Sequence, residues 1–407
     1  MGAKTDVQEE LLKLVSDPAA RADPYPVYER IRAADNAYLG ELGFWFLTSY
    51  EDCAAVMRHP LMKRRHQNSW EVRGAISNAI GRAWFEGASR SMLWLDSPDH
   101  ARIRGLASRA FTPRYLAKLR PRIEEMVEGL ITKIEKESGV DFIDEFALAL
   151  PMMVICEMLG VPAPDREGFR RWTVALAATL EPLPSEAVQD AADEASHAFN
   201  AYFSELVSER RGSSSDDLLS ELIRVEQEGE RLTEKELIGM AILILGAGFE
   251  TTTNLIGNGM LALLTERAEW EALVVNPQRA PAVVEEVLRY DSPVQMAPPR
   301  VASAPLELGG RQVNEGHSVV AMIGAGNRDP NHYPKPANFD ISRHDPAPLS
   351  FGGGPHYCIG ASLARLEGAI AFRALAERLP SLKLVGDTPQ WRETFNIRGL
   401  KSLEVTL

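Results

Sequence analysis

The 407-residue chain reads as one large, mainly α fold with small β-sheets near both ends, a single domain over residues 1–407. Three observations predict this. Helical periodicity dominates from Asp99 to about Arg211. The segment from Glu234 to about Arg267 is opened by Thr233 and Glu236, a capping box, and its first half is apolar on most faces, so it belongs in the middle of the protein. Short alternating segments cluster between Ala37 and Leu47 and again after Val301.

Taken in order, Asp23–Ala33 is a short helix opened by prolines. Ala37–Leu47, with Gly40 and Gly43 among apolar and aromatic residues, predicts a strand hairpin. Ser49–His59 is helical and stops before Pro60. From Leu61 to Ser91 periodicity fades, and Trp70, Trp84 and Phe85 stand among Gly and Ser, which predicts a long irregular binding loop. Leu116–Glu137, Pro151–Leu159 and Leu218–Gly229 are helices, the last preceded by a surface connection over Gly212–Asp217. Pro281–Tyr290 is a further helix, and Gly309-Gly310 marks a hairpin inside Val301–Val320. Asp329–Pro355 holds six prolines and wanders over the surface. Ala361–Leu379 is a strong final helix, and Thr394–Leu407 reads as terminal strands.

Composition narrows the function classes. Hydrophobic residues make up 45% and charged residues 25%, which excludes a disordered or fibrous chain. A net charge of -13 argues against a nucleic-acid partner. Three cysteines, Cys53, Cys156 and Cys358, exclude a disulfide framework. The start, MGAKTDVQEELLKLV, reads as neither signal peptide nor membrane anchor. The most apolar stretch, Gly239–Phe249, is shorter than a membrane-spanning helix requires. A cytoplasmic protein is expected.

The chemistry lies in Phe351-Gly-Gly-Gly-Pro-His-Tyr-Cys358-Ile-Gly360, which runs directly into a helix. Its glycines let backbone approach a flat ligand. A cysteine just ahead of a helix start sits among amide donors that favour the thiolate, and a thiolate can be an axial ligand of haem iron. Cys53 and Cys156 have apolar neighbours in helical patterns and read as inert core thiols. This segment resembles the haem-binding signature of the cytochrome P450 family, with Phe351, Gly354, His356, Cys358 and Gly360 at its fixed positions.

Other motifs stand in the family order. Glu286-Val-Leu-Arg289 puts an acid and a base on one helix face, a pair the resemblance makes a structural lock; its usual third member falls at Asn338 here. Ala247-Gly-Phe-Glu250-Thr251-Thr252 places a carboxylate and hydroxyls in the buried helix, and with Gly246 and Gly248 predicts a local opening that admits water. It is similar to the family's acid–alcohol motif, which implies a catalytic, proton-delivering role for Glu250 and Thr251. His100 and Arg104 share a helix face, and with Arg300 and His356 they match the family's contacts to the two propionates of haem b. Arg102 and Arg109 read as solvated charges. Further matches include Asn327-Arg-Asp-Pro330 and Phe339-Asp-Ile-x-Arg343. The resemblance therefore spans nearly the whole chain and points to the soluble bacterial branch.

What the resemblance implies is a monomeric haem-thiolate monooxygenase of secondary metabolism, inserting one oxygen atom of O2 into a small apolar molecule. Cys358 is its metal ligand. Electrons would come from a ferredoxin or flavodoxin and its NAD(P)H reductase, because no redox domain fits in this length. Acidic carriers would need a basic docking patch, expected at Arg109, Arg114 and Arg365. Ala247, Phe249, Val294 and Ile397 are expected over the haem, roofed by Trp70, Trp84 and Phe85. A peroxide-driven enzyme, a nitric-oxide reductase or a haem-thiolate sensor would share the cysteine loop. The retained Glu250 and Thr251 favour dioxygen. A thiol enzyme using His356 as base is a further reading, and the surrounding loop fits haem better.

Overall fold

The central helix, Glu234–Thr265, organises the protein, and its start shows why it forms there. The Thr233 side chain accepts from the Glu236 amide while the Glu236 carboxylate accepts from the Thr233 amide at 2.9 Å. Such a cap stabilises a helix by about 1 kcal/mol. The helix then runs unbroken for 32 residues. The expected opening at Gly246–Thr251 is therefore absent from the backbone. Thr251 donates to the Ala247 carbonyl at 2.7 Å without displacing the helix. Gly248 packs flush on Ile155, where an added Cβ would come within 2.7 Å of the side chain. Length and composition alone would let this helix cross a membrane, which the shorter stretch read from the sequence understates. Instead it packs against helices Ala149–Met158, Arg166–Ala177, Glu186–Arg210, Ala280–Tyr290 and Ala361–Arg378. This helical body forms the largest apolar core.

The structure, a computed structural model, describes residues 6–41, 43–64, 79–181, 184–212, 217–227, 232–345, 347–386 and 389–407. Trp70, the start of the chain at MGAKT and most of the Gly212–Asp217 connection lie outside these residues.

Among the described residues the strands form four small sheets. β1 (Ala37–Leu39) and β2 (Phe44–Leu47) form the expected hairpin. β2 runs parallel to β8 (Ser318–Ala321), which pairs with β5 (Arg300–Ala302), and β5 pairs with β3 (Met62–Lys63), so the order is β1-β2-β8-β5-β3. β6 (Leu306–Leu308) and β7 (Arg311–Val313) make the Gly309-Gly310 hairpin, with both glycines at positive φ. At the C-terminal end the strands are shorter than expected. β11 (Leu400–Ser402) and β12 (Glu404–Thr406) form, but Thr394–Gly399 is a turn region. β11 pairs with β10 (Gln390–Trp391), and β12 pairs with β4 (Gly139–Asp141) and β9 (Lys383–Leu384).

The proline-rich segment is anchored through one buried ion pair. Glu286 accepts from Arg289 at 2.6 and 2.8 Å, and both side chains are almost fully buried. Asn338 contributes only its carbonyl, which accepts from Arg289 at 2.8 Å. The third member is Arg343, whose Nε lies 3.2 Å from Glu286. Arg343 reaches back because the chain turns between Phe339 and Arg343, with the Asp340 amide also donating to Glu286 at 2.8 Å. Arg102 is likewise not simply solvated: its guanidinium joins Asp99 to Glu236 at the start of the central helix. The Arg109 side chain lies outside the described residues.

Candidate functional site

The cysteine loop folds back on itself. Gly352 and Gly354 adopt φ of 71° and 63°. A Cβ on Gly354 would come within 2.8 Å of the Met57 carbonyl, so the loop lies this close to helix Tyr50–Arg58 only with glycine there. The Cys358 amide donates to the Phe351 carbonyl at 2.8 Å. The thiol is set just ahead of helix Ala361–Arg378 and opens onto a cavity of about 630 Å3. Burial raises its pKa, opposed by the amides of Gly360 and Ala361 and by Arg104 and Arg365. The sequence expectation of a favoured thiolate thus meets a desolvation cost larger than those donors offset. A coordinated metal cation would deprotonate the thiol outright. Cys53 is fully buried with its pKa raised by burial, and burial pushes Cys156 up to about 11, as befits core thiols.

A cationic cluster stands beside the thiol. His100 and His356 stack obliquely with ring centroids 4.1 Å apart. Burial, then the charge of Arg64, pushes His356 down to about 2; burial, then Arg104, lowers His100. Arg104 donates to the Tyr357 carbonyl at 2.6 Å, which ties helix Asp99–Ala107 to the cysteine loop. Arg300 is buried, donates to the Met62 carbonyl at 3.3 Å, and keeps its Nε without a partner. The His100 Nε2 is also buried and unpartnered. All four residues line the same cavity as Cys358. Buried guanidinium and imidazole groups without carboxylate partners are costly unless an anion joins them. A flat dianionic ligand with a metal centre fits this set: one thiol, a cationic edge and glycine-lined approaches.

The central helix supplies another wall. Gly246, Ala247, Gly248, Glu250, Thr251 and Thr252 line the cavity. Glu250 is 3% exposed and accepts from Arg392 Nη1, while its Oε1 has no partner. Phe249 does not join this wall. It is wholly buried in the main core, because a residue two places from Ala247 is turned about 200° around an α-helix. Val294 and Ile397 do line the cavity and pair with each other as an isolated bridge. Trp84 lines it too, whereas its neighbour Phe85 packs edge-on against Trp84 without reaching the wall.

Several functional residues escape sequence reasoning. Arg64 lines the cavity and donates to the Pro298 and Pro299 carbonyls at 2.5 and 3.2 Å. It follows β3, and only the folded pairing of that strand with the strand of Arg300 brings it here, so nothing local in the sequence marks it. Arg392 is 142 positions from Glu250, and nothing local in the sequence joins them. Glu367 lines the cavity from the cysteine helix, and burial pushes it up to about 8. Arg365 is less available for docking than expected: it pairs with Glu285 and lies over the Phe351 ring at 4.5 Å.

This geometry agrees with comparisons to known proteins. A family model, Cytochrome P450, matches residues 279–384. The chain is 38% identical to the polyketide biosynthesis cytochrome P450 PksS of Bacillus subtilis (strain 168), covering 95% of this chain and 96% of that one. It is 39% identical to the cytochrome P450 monooxygenase PikC of Streptomyces venezuelae, covering 94% and 91%. The crystal structure of P450BioI in complex with an acyl carrier protein bearing hexadec-9Z-enoic acid superposes with a TM-score of 0.89 at 36% identity, covering 96% of this chain and all of that one. Similarity of this degree over nearly the full length, together with the cysteine loop and cationic cluster in one cavity, makes the chain a member of the cytochrome P450 family.

Proposed function

We propose that this P450 monooxygenase holds haem b through Cys358 and oxidises a sizeable apolar substrate of the polyketide class. The observation that carries the reading is that Cys358, the cationic cluster and the Glu250–Thr251 pair line one cavity. When bound, a thiolate-ligated haem supplies the activation of dioxygen. Cys358 would be its metal ligand. His100, Arg104, Arg300 and His356, with Arg64, would neutralise and orient its two propionates.

The chain's own residues would do the rest. Thr251 spends its proton on the Ala247 carbonyl, which leaves its oxygen an acceptor on the cavity wall. Arg392 anchors one oxygen of Glu250 and is itself 20% exposed, and through it Glu250 would carry protons from solvent towards Thr251. Trp84, Leu180, Ile242, Leu243, Val294 and Ile397 would exclude water and hold an apolar ligand. The polyketide class is supported by the likeness to PksS and by the absence of any carboxylate except Glu86, Glu250 and Glu367 among the described lining residues.

Electrons would arrive from a ferredoxin or flavodoxin with its NAD(P)H reductase, docking near the exposed Arg114 and the cysteine loop. A monomer in the cytoplasm completes the reading; among the described residues, the one helix long and apolar enough to cross a membrane is mostly buried inside the fold. The test is the carbon monoxide difference spectrum of the reduced protein. Wild type should give the band of a thiolate-ligated haem, Cys358→Ser should lose it, and Cys53→Ser and Cys156→Ser should keep it. A wild-type protein that takes up haem yet lacks the band would overturn the assignment.

A further inference from the structure

Glu181 is a carboxylate that the oxidation chemistry does not use. It follows helix Arg166–Ala177 and the turn Ala178–Leu180, whose Thr179 and Leu180 line the cavity. It is half-buried, and among the described residues no cation lies within ion-pair distance of it, although the charge of Arg21 reaches it. Its oxygens instead accept from three consecutive backbone amides: Phe395 at 2.9 Å, Asn396 at 3.0 and 3.1 Å, and Ile397 at 3.2 Å. Successive amides converging on one anion form a nest that suits a carboxylate.

Asn396 continues the connection. Its Nδ2 donates to the Leu180 carbonyl at 3.0 Å, and its Oδ1 accepts from the Met296 amide at 2.9 Å. Its own carbonyl accepts from the Gln295 amide at 2.9 Å. Three stretches distant in sequence, 178–181, 293–297 and 394–397, are thereby tied together, and each supplies cavity wall. Among the described residues, every hydrogen bond from the first stretch to the other two is made by Glu181 or Asn396. The first stretch is the end of a helix that otherwise packs on the central helix and on helix Glu186–Arg210.

We propose that Glu181 is a positioning residue, clasping the far wall of the cavity and, with Asn396, setting how readily and how large a ligand enters there. The proposal rests on the reading of this cavity as the substrate site. The bonds are charge-assisted and partly shielded from water, where each is worth more than a neutral surface contact. Removing the carboxylate frees a wall segment while leaving Cys358, the cationic cluster and Glu250 untouched. Glutamine retains an acceptor oxygen but loses the charge, so Glu181→Gln should act in the same direction as Glu181→Ala and more weakly.

The test combines two measurements on the holoprotein. Amide hydrogen exchange at residues 395–397 should quicken roughly tenfold in Glu181→Ala, about the factor lost with one charge-assisted hydrogen bond. Association and dissociation of 4-phenylimidazole, followed by the absorbance of the haem, should both quicken several-fold, while the far smaller imidazole changes little. Asn396→Ala should reproduce the effect, and the double variant should add little to either single one, as members of one clasp require. Unchanged exchange at 395–397 overturns the proposal. Faster exchange with unaltered 4-phenylimidazole rates also overturns it, leaving Glu181 a purely structural residue. If Glu181→Ala does not accumulate, Glu181→Gln and Asn396→Ala carry the same two outcomes. A wild-type protein that binds imidazole but excludes 4-phenylimidazole contradicts the reading of the cavity itself, and the exchange result still decides whether the clasp exists.

Discussion

Around the thiol the cavity wall is one run of chain, Phe351 to Glu367, joined by Arg64, His100, Arg104 and Arg300, and the run is braced by Arg104 on the Tyr357 carbonyl and by Arg365 on Glu285. Away from that run the wall is assembled from Trp84, Leu180, Ile242, Val294 and Ile397, each from a different part of the chain. Around the thiol the local backbone geometry of the loop sets its place, and the long-range contacts of Arg104 and Arg365 brace it from outside. The other walls are held by long-range contacts: Arg392 on Glu250, and Glu181 on the amides of 395–397. The contrast is that the thiol is placed by one short motif, whereas the other walls depend on a few ties between segments distant in sequence.

The largest effect should come from the lock behind the cysteine end. Glu286→Ala leaves Arg289 buried without its acid and Arg343 with Asp345 alone. Breaking a buried pair from one side costs about 3–5 kcal/mol. Urea unfolding of the holoprotein should show a loss of that size, whereas a loss below about 1 kcal/mol would mean that the pair does not anchor the proline-rich segment.

Next comes Glu367, the buried carboxyl on the same run of chain. Burial raises it from its ordinary 4.5 to about 8. Between those values the unfolded chain gives up this proton while the folded one keeps it, so its contribution to stability declines as pH rises through that window. Glu367→Gln should match wild type near the lower limit and exceed it at neutral pH by on the order of 1–3 kcal/mol. Stability curves that stay parallel across the window would show that Glu367 does not titrate in this way.

The ties between distant segments are tested through Arg392. Arg392→Ala frees the Glu250 carboxylate, and turnover should fall roughly tenfold, the worth of one charge-assisted hydrogen bond. Peroxide released per NAD(P)H consumed should rise, the solvent isotope effect should change, and Arg392→Lys should restore part of each. Unaltered coupling and isotope effect in Arg392→Ala would assign the arginine to structure alone.

The same contrast explains what could be read before any coordinates. The cysteine loop, the Glu286–Arg289 pair and the capped central helix are patterns within a few residues of one another, and helix geometry carries them from sequence to space. Arg343 as the third member of the lock depends on how the chain turns after Phe339, which no periodicity encodes. Arg392 and Glu181 depend on which distant strand or turn comes to lie beside them. Of the residues expected over the haem, Ala247, Val294 and Ile397 reach the cavity. Phe249 misses it because its neighbours in sequence are not its neighbours around the helix.

That last difference gives the smallest but sharpest comparison. Phe249 is wholly buried among core residues, so Phe249→Leu should cost on the order of 1 kcal/mol by loosening packing. It should leave the affinity and the spin-state response to any ligand as in wild type, since its ring contributes nothing to the wall. Ile397→Ala removes a similar amount of apolar surface at a site that does line the cavity. Its loss should appear in ligand affinity, by several-fold for an apolar ligand filling that end, with a change in which carbon is oxidised. Equal effects of the two substitutions on ligand binding would mean that the wall is not where these residues place it. A purely structural effect of Phe249→Leu beside a purely ligand-directed effect of Ile397→Ala would separate the packing face of the helical body from the recognition face of the cavity.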